Sequence, residues 1–276
     1  MNVAALQMVS APELAANLAT ARALVAEAAA GGAELVLLPE HFALLGHRDT
    51  DKLALAEPAP GPDGLPTGGP LQRALADAAA QHGLWVVGGS IPLATGDPQR
   101  VFNSTLVFAP SGRCVARYDK VHLFNFSNGE EHYDEATVLQ AGTQPVAFEL
   151  PSRDGHRWRV GLSICYDLRF PELYRALQAD LLLVPSAFTW TTGEQHWEVL
   201  LRARAIENQA YVLAAAQGGV HGNGRRTWGQ SLLADPWGEV LAQRAQGAGV
   251  VRGACSAERL ATVRRQLPAL QHRVVS

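Results

Sequence analysis

The chain has 276 residues, enough for one large domain or two small ones, and 47% of them are hydrophobic, enough to build a sizeable core. Its 23 basic and 26 acidic residues leave a net charge of −3, which implies no polyanion-binding surface, and no basic arm or aromatic-rich nucleic-acid platform stands out. No apolar run approaches the roughly 18–20 residues that span a bilayer, so neither nucleic acid nor a membrane is expected as a partner.

Met1-Asn2-Val3-Ala4-Ala5 lacks a charged leader region and a cleavage site and reads as the start of a strand over 2–8. Ser10-Ala11-Pro12-Glu13 fits a capping box, followed by Leu14, Leu18, Ala21, Val25 and Ala28 at helical spacing until Gly31-Gly32. The run 35–38 is a continuous apolar strand of the kind buried on both faces, and Pro39-Glu40 follows it. The stretch 41–70, rich in Pro and Gly, reads as an ordered surface loop because the αβ rhythm then resumes with a helix over 71–82 and a strand over 85–89. Strands over 101–108 and 115–118 flank the turn Pro110-Ser111-Gly112-Arg113 and form a hairpin. A long irregular segment, 121–142, comes next.

Strands are then expected over 146–150 and 159–164, the second running into Cys165 and a turn before a helix opened by Pro171, where a missing N–H costs nothing. A strand over 181–184 precedes Thr191-Thr192-Gly193-Glu194, which reads as the cap of a helix ending near Asn208, with Glu198 and Arg202 paired across one turn. Strands over 211–215, 230–233 and 239–241 close the chain, the last two joined by Pro236-Trp237-Gly238. Gly219-Val220-His221-Gly222-Asn223-Gly224 superficially suggests a phosphate loop, but it opens no helix and reads as a turn. With no repeat or composition break, residues 1–276 read as one α/β domain.

Cys114, Cys165 and Cys255 are odd in number and widely spaced, which argues against a disulfide scaffold and for a reducing, cytoplasmic setting. No metal-binding spacing of Cys or His occurs. The only lysines are Lys52 and Lys120, so a well-placed Lys is informative.

Three reactive side chains follow three strands: Glu40, Lys120 and Cys165. Ligand sites in open α/β sheets lie beyond the carboxyl ends of strands, so adjacent strand ends could converge a carboxylate, an ammonium and a thiol. Singly, Glu40 could be a loop or capping charge, Lys120 a solvated strand terminus and Cys165 a buried structural thiol. Together they suit acyl transfer from an amide. The carboxylate takes the thiol proton, the thiolate attacks, and Lys120 with the Tyr166 N–H receives the oxyanion. A helix N-terminus facing Cys165 would favour its thiolate.

Leu38-Pro39-Glu40, the run from Tyr118 through Lys120 to Phe124, and the run from Ile164 through Cys165 to Leu173 resemble the three signature blocks of the nitrilase superfamily of carbon–nitrogen hydrolases. The likeness continues through Pro185-Ser186-Ala187-Phe188-Thr189, the run from Leu201 to Gln209, and Asp235-Pro236-Trp237-Gly238-Glu239, covering nearly the whole chain. It implies a four-layer α-β-β-α sandwich, cofactor-free and metal-free catalysis by Glu40, Lys120 and Cys165, and a homodimer. Glu135 matches a second glutamate beside the lysine, against the plainer reading of an exposed loop acid. Arg169 matches a residue that grips a substrate carboxylate, against a structural salt bridge.

Cys165-Tyr166-Asp167, in place of Cys-Trp-Glu, favours amides over nitriles. Thr191 to Glu198 and Ala214 to Gly219 are similar to the Nit branch of amidases, which implies a small α-keto acid amide as substrate. The leaving amine is then a dipeptide rather than ammonia, as the preferred of two alternatives. Phe124 and His196 are pocket candidates, with core packing as the plainer reading. A non-catalytic binding member of the fold is the alternative of another class, disfavoured because a binder would not need Glu40, Lys120 and Cys165 together.

Overall fold

A computed structural model of the chain describes residues 1–129 and 131–274. In chain order it begins β1 (Asn2–Gln7), α1 (Leu14–Ala30), β2 (Leu35–Leu37), a 3-10 helix (Asp49–Leu55), α2 (Pro70–His82), β3 (Trp85–Val87), β4 (Ile91–Ala94), β5 (Val101–Phe108) and β6 (Cys114–Asp119). A short ribbon, β7 (Asn125–Ser127) with β8 (His132–Asp134), leads to β9 (Ala147–Pro151) and β10 (Arg157–Leu162). Then come α3 (Pro171–Leu177), β11 (Leu181–Ser186), α4 (Trp190–Asn208), β12 (Tyr211–Ala216), β13 (Gly218–Val220) and β14 (Arg226–Trp228). The chain ends with β15 (Ser231–Ala234), β16 (Val240–Arg244), β17 (Gly249–Ala254) and α5 (Ala257–Gln266).

The strands make two large sheets. One runs β17-β1-β2-β3-β5-β4, with β6 also on β5; the other runs β16-β15-β12-β11-β10-β9. Alternation along β1 shows how they are sandwiched. Val3 and Ala5 enter the cluster shared with the second sheet, with Leu150, Trp158, Val160 and Leu162, while Ala4 and Leu6 pack with Leu18, Val25, Leu71 and Leu75 of α1 and α2. On the far side, Trp197, Leu201 and Ala205 of α4 close over the second sheet. The layers are therefore helix, sheet, sheet, helix: the α-β-β-α sandwich that the sequence implied.

Several local expectations are corrected. Neither capping box forms. α1 has Glu13 at its N-cap with no side-chain bond, because Ser10 is used over long range: its hydroxyl donates to Phe42 O at 2.9 Å and accepts from Gln217 Nε2 at 2.8 Å. α4 starts a residue before Thr191, with Thr189 at its N-cap, and the Thr189 and Thr192 hydroxyls bond each other at 2.8 Å. The 41–70 stretch is not wholly a surface loop; Phe42, Ala43, Leu45 and Glu57 are buried, and Glu57 accepts the Leu71 and Gln72 N–H groups at the start of α2. The segment 121–142 is partly regular, holding β7, β8 and a short 3-10 turn (Glu135–Thr137), and its Glu130 lies outside the described residues. The hairpin of β5 with β6, the glycine-rich turn between β13 and β14, and the Glu198–Arg202 pair at 3.6 Å are as expected.

Candidate active site

Glu40, Lys120 and Cys165 do follow strand ends, but not those of one open sheet. Glu40 lies beyond β2 and Lys120 beyond β6 in the first sheet, whereas Cys165 lies beyond β10 in the second. The site forms where these strand ends from two stacked sheets meet.

Each group is locked from behind. Leu38 N donates to Val87 O at 3.0 Å, extending β2 towards Glu40. Gly89 makes this possible: at φ +53 a Cβ would stand 2.0 Å from Pro39 O. The Glu40 carboxylate is 1% exposed as a residue and accepts from Asn103 Nδ2 at 2.9 Å, Lys120 Nζ at 3.0 Å and Ala187 N at 2.8 Å. Lys120 is fixed by its own N–H on Asn103 O and by Gly142 N–H on its carbonyl, both at 2.9 Å. Its buried ammonium also donates to both oxygens of Glu135, at 2.9 and 2.8 Å, and Glu135 Oε2 accepts the Phe124 N–H at 2.7 Å. Lys120 is thus held between two carboxylates.

Cys165 opens a 3-10 turn (Cys165–Arg169) at φ +49, a conformation that costs a non-glycine residue about 1–2 kcal/mol. Asp167 holds it there. Fully buried, it accepts from Ile164 N at 2.8 Å, Tyr118 Oη at 2.7 Å and His122 N at 3.0 Å, and meets His122 Nδ1 at 2.7 Å. One side chain therefore ties the Cys165 turn to the strand and loop that carry Lys120. Burial, then the Asp167 charge, pushes the Tyr118 hydroxyl up, so it stays a donor.

The α-helix opened by Pro171 is present as α3, but the 3-10 turn separates it from Cys165. The helix N-terminus therefore does not directly adjoin Cys165, whose thiol is raised well above its ordinary 9.0 by burial and then by the Glu40 charge, with Lys120 acting the other way. Glu40 goes the other way. Burial acts to raise it, but the Lys120 ammonium and the hydrogen bonds from Cys165, Lys120 and Ala187 together hold it below 4.5. Burial also opposes the charge on Lys120, and Glu135 and Glu40 overcome it and raise the ammonium. The resting site thus sets a buried thiol near a carboxylate and its ammonium, with burial and the Glu40 charge favouring the proton on sulfur.

Above these groups lies a cleft lined by Phe124, Tyr166, Arg169, Phe188, His41 and Arg225, among others. Arg169 stands 5.2 Å from the centre of the Phe188 ring and 5.8 Å from that of Tyr166. Among the described residues it makes no ion pair, which removes the salt-bridge reading. His196 is corrected: it is neither core nor cleft lining but exposed on α4, with Nδ1 3.2 Å from Arg169 Nη1.

Asn103, His41, Lys52 and Arg225 were not found by sequence reasoning. Only Lys52 carried a signal, as one of two lysines. His41, at φ +56, is pushed well below 6.5 by burial and then by the Lys52 ammonium, with Lys120 and Arg225 adding to it against Glu135. One candidate ligand atom from each of Glu40, His41 and Glu135 lies within 4.8 Å of the others. The Lys120 ammonium already bridges the two carboxylates, so a metal ion would have to displace it.

A thiol, a buried carboxylate and a captive ammonium at the end of an α-β-β-α sandwich belong to the chemistry of carbon–nitrogen bond hydrolysis. The chain is a member of the carbon–nitrogen hydrolase family, whose model matches residues 2–265, and hence an enzyme of the nitrilase superfamily that cleaves C–N bonds. It is 43% identical to a deaminated glutathione amidase of Synechocystis, over 98% of this chain and 97% of that one. It is 38% identical to the human deaminated glutathione amidase, over 98% and 81%. Among solved structures, the Caenorhabditis elegans NitFhit protein superposes with a TM-score of 0.87 at 34% identity, over 99% of this chain and 65% of that one. A CN-hydrolase superfamily protein of Xanthomonas campestris, with an arsenic adduct in its active site, gives 0.84 at 30% identity, over 100% and 98%.

Proposed function

We propose that the chain hydrolyses the amide of deaminated glutathione, releasing 2-oxoglutarate and the dipeptide cysteinylglycine through a thioester on Cys165. The observation that carries this reading is the Lys120 ammonium held between Glu40 and Glu135 in the buried site that Cys165 lines. As the Cys165 sulfur attacks the amide carbon, its proton passes to Glu40, so a thiol held protonated at rest is no obstacle. The oxyanion is met by Lys120 and by the Tyr166 N–H, and a donor of this kind is worth about a hundredfold or more in rate. Glu40 returns the proton to the departing nitrogen, then takes one from the water that cleaves the thioester. Glu135 keeps Lys120 charged and aimed. Arg169, free of any carboxylate among the described residues, receives the α-keto acid carboxylate, and Phe124 and Tyr166 flank the acyl chain.

The dipeptide-releasing reading is preferred over ω-amidase action on α-ketoglutaramate because the relatives above carry the name deaminated glutathione amidase. Kinetics separate the two: kcat/KM for deaminated glutathione should exceed that for α-ketoglutaramate, and the reverse order would overturn the substrate assignment.

The chain is taken to act as one domain over 1–276 and as a homodimer. Support for self-association comes from Val199 and Ile206, seven residues apart on α4 and 67% and 50% exposed, which share one helix face. A sedimentation mass of one chain would exclude the dimer. Three unpaired thiols fit a reducing compartment such as the cytoplasm, and among the described residues no helix is long and apolar enough to cross a membrane.

A further inference from the structure

The cleft has a second cationic end that the mechanism above does not use. Phe124 and Tyr166 of its lining have ring centres 5.1 Å apart, and Tyr133, behind the lining, continues the row at 5.5 Å from Phe124. A guanidinium closes each end, Arg169 at 5.8 Å from Tyr166 and Arg225 at 5.0 Å from Tyr133.

Arg225 is presented by the glycine-rich turn between β13 and β14, and the turn is pinned. His221 sits between Ser10 O at 2.9 Å and Thr227 Oγ1 at 2.7 Å, and Asn223 donates to Gly46 O at 2.6 Å while accepting the Arg225 N–H at 3.0 Å. The one ion pair of Arg225 among the described residues is with Asp49 at 3.7 Å, a half-exposed partner beyond hydrogen-bond reach and so a weak one.

Asp49 and Lys52 are three residues apart on one 3-10 helix, where such positions eclipse, which brings Lys52 to the same side. Among the described residues no hydrogen bond or ion pair engages Lys52. Burial and the nearby Arg225 and Lys120 charges hold its ammonium below 10.5, against Glu135 and Asp49.

This end lies on the His41 side of the cleft. His41 follows Glu40 directly, with Nε2 3.9 Å from its carboxylate, and Glu40 is the group that protonates the departing nitrogen.

We propose that Arg225 and Lys52 form a second carboxylate site, on the leaving-amine side of Cys165, so that the cleft takes an extended dianion with a carboxylate at each end of its aromatic wall. The site explains why a dipeptide amide is preferred to a primary amide, and it rests on the amidase reading above. Deaminated glutathione carries such a carboxylate on its terminal glycine, and its C-terminal carboxamide differs in that group alone. Wild type should favour the carboxylate form by about tenfold or more in kcat/KM, through KM. Arg225→Met and Lys52→Met, on separate elements, should each shrink that ratio, and Arg225→Lys should keep part of it. A ratio near one in wild type, or one unchanged in both Met variants, overturns the second site while leaving the amidase reading intact. Failure of wild type to cleave either compound would overturn the amidase reading itself, and this site with it.

Discussion

Cys165→Ala should lower the rate of amine release from deaminated glutathione by about 10⁴-fold or more, the scale on which loss of a nucleophile acts, with little change in unfolding midpoint. The size of the effect follows from where the other thiols sit. The Cys114 sulfur donates to Ala116 O at 3.4 Å and Cys255 is sealed in the core. Burial is the first cause that raises both, Cys255 to beyond the range of any physiological thiolate. Among the described residues neither has a carboxylate bonded to it to take its proton, so neither is equipped to stand in. The fold should tolerate the change because alanine bears the same φ of +49 at a cost like that of cysteine, and the space left is one sulfur atom. Equal rates in variant and wild type would end the thiol mechanism.

Lys120→Met should show two effects at once. The first is kinetic: losing the oxyanion donor should cost kcat about 10²–10³-fold. The second concerns the charges left behind. Glu40 and Glu135 would face each other in a buried site without a cation, and breaking such an arrangement costs about 3–5 kcal/mol unless one carboxyl takes a proton. Glu40 is at present held below 4.5 against its burial largely by Lys120, so its pKa should rise in the variant. The base must be ionised to act, and activity is lost as pH falls through its pKa. The acid limb of the kcat–pH profile should therefore move to higher pH in Lys120→Met, and stability at neutral pH should drop. A profile superimposable on that of wild type would show that Lys120 does not set the state of Glu40.

Much of this site could be read from order along the chain because its chemistry stands just beyond strand ends, and apolar strands such as 35–38 announce themselves. Glu40 and Cys165 each follow such a run, and Lys120 follows the second strand of a hairpin with a recognisable turn. What order along the chain does not contain is which sheet a strand joins. Neither β2 nor β10 carries a mark of the sheet it joins, yet they lie in different sheets, and the site is the seam between them. The same blindness to long-range partners explains the failed caps: Ser10 is a good local cap, but Gln217, 207 residues away, binds it instead. It also explains the missed residues. Asn103 reads as an awkward polar residue within a strand until Glu40 is seen to need its amide. The helix terminus expected at Cys165 stands further off for a different reason: a few residues of 3-10 turn intervene before α3, and periodicity does not resolve so short an element.

Sequence did convey the charge logic of Glu135 and Arg169 through their likeness to a family. Their physical roles became visible only with distances, Glu135 as the second clamp on a buried ammonium and Arg169 as a guanidinium without a carboxylate of its own among the described residues. Asp167 belongs with them. It does not itself line the cleft, yet it ties Tyr118 and His122 to the Cys165 turn, so the proposed nucleophile and oxyanion lysine are positioned by one carboxylate.

The central claim is a covalent bond at one sulfur, and a rapid acid quench of a single turnover of deaminated glutathione tests it most directly. Peptide mass spectrometry should find the 2-oxoglutaryl group, joined as a thioester, on the peptide containing Cys165. The same acyl group on Cys114 or Cys255, or dipeptide release with no acyl group on any thiol, would contradict the account.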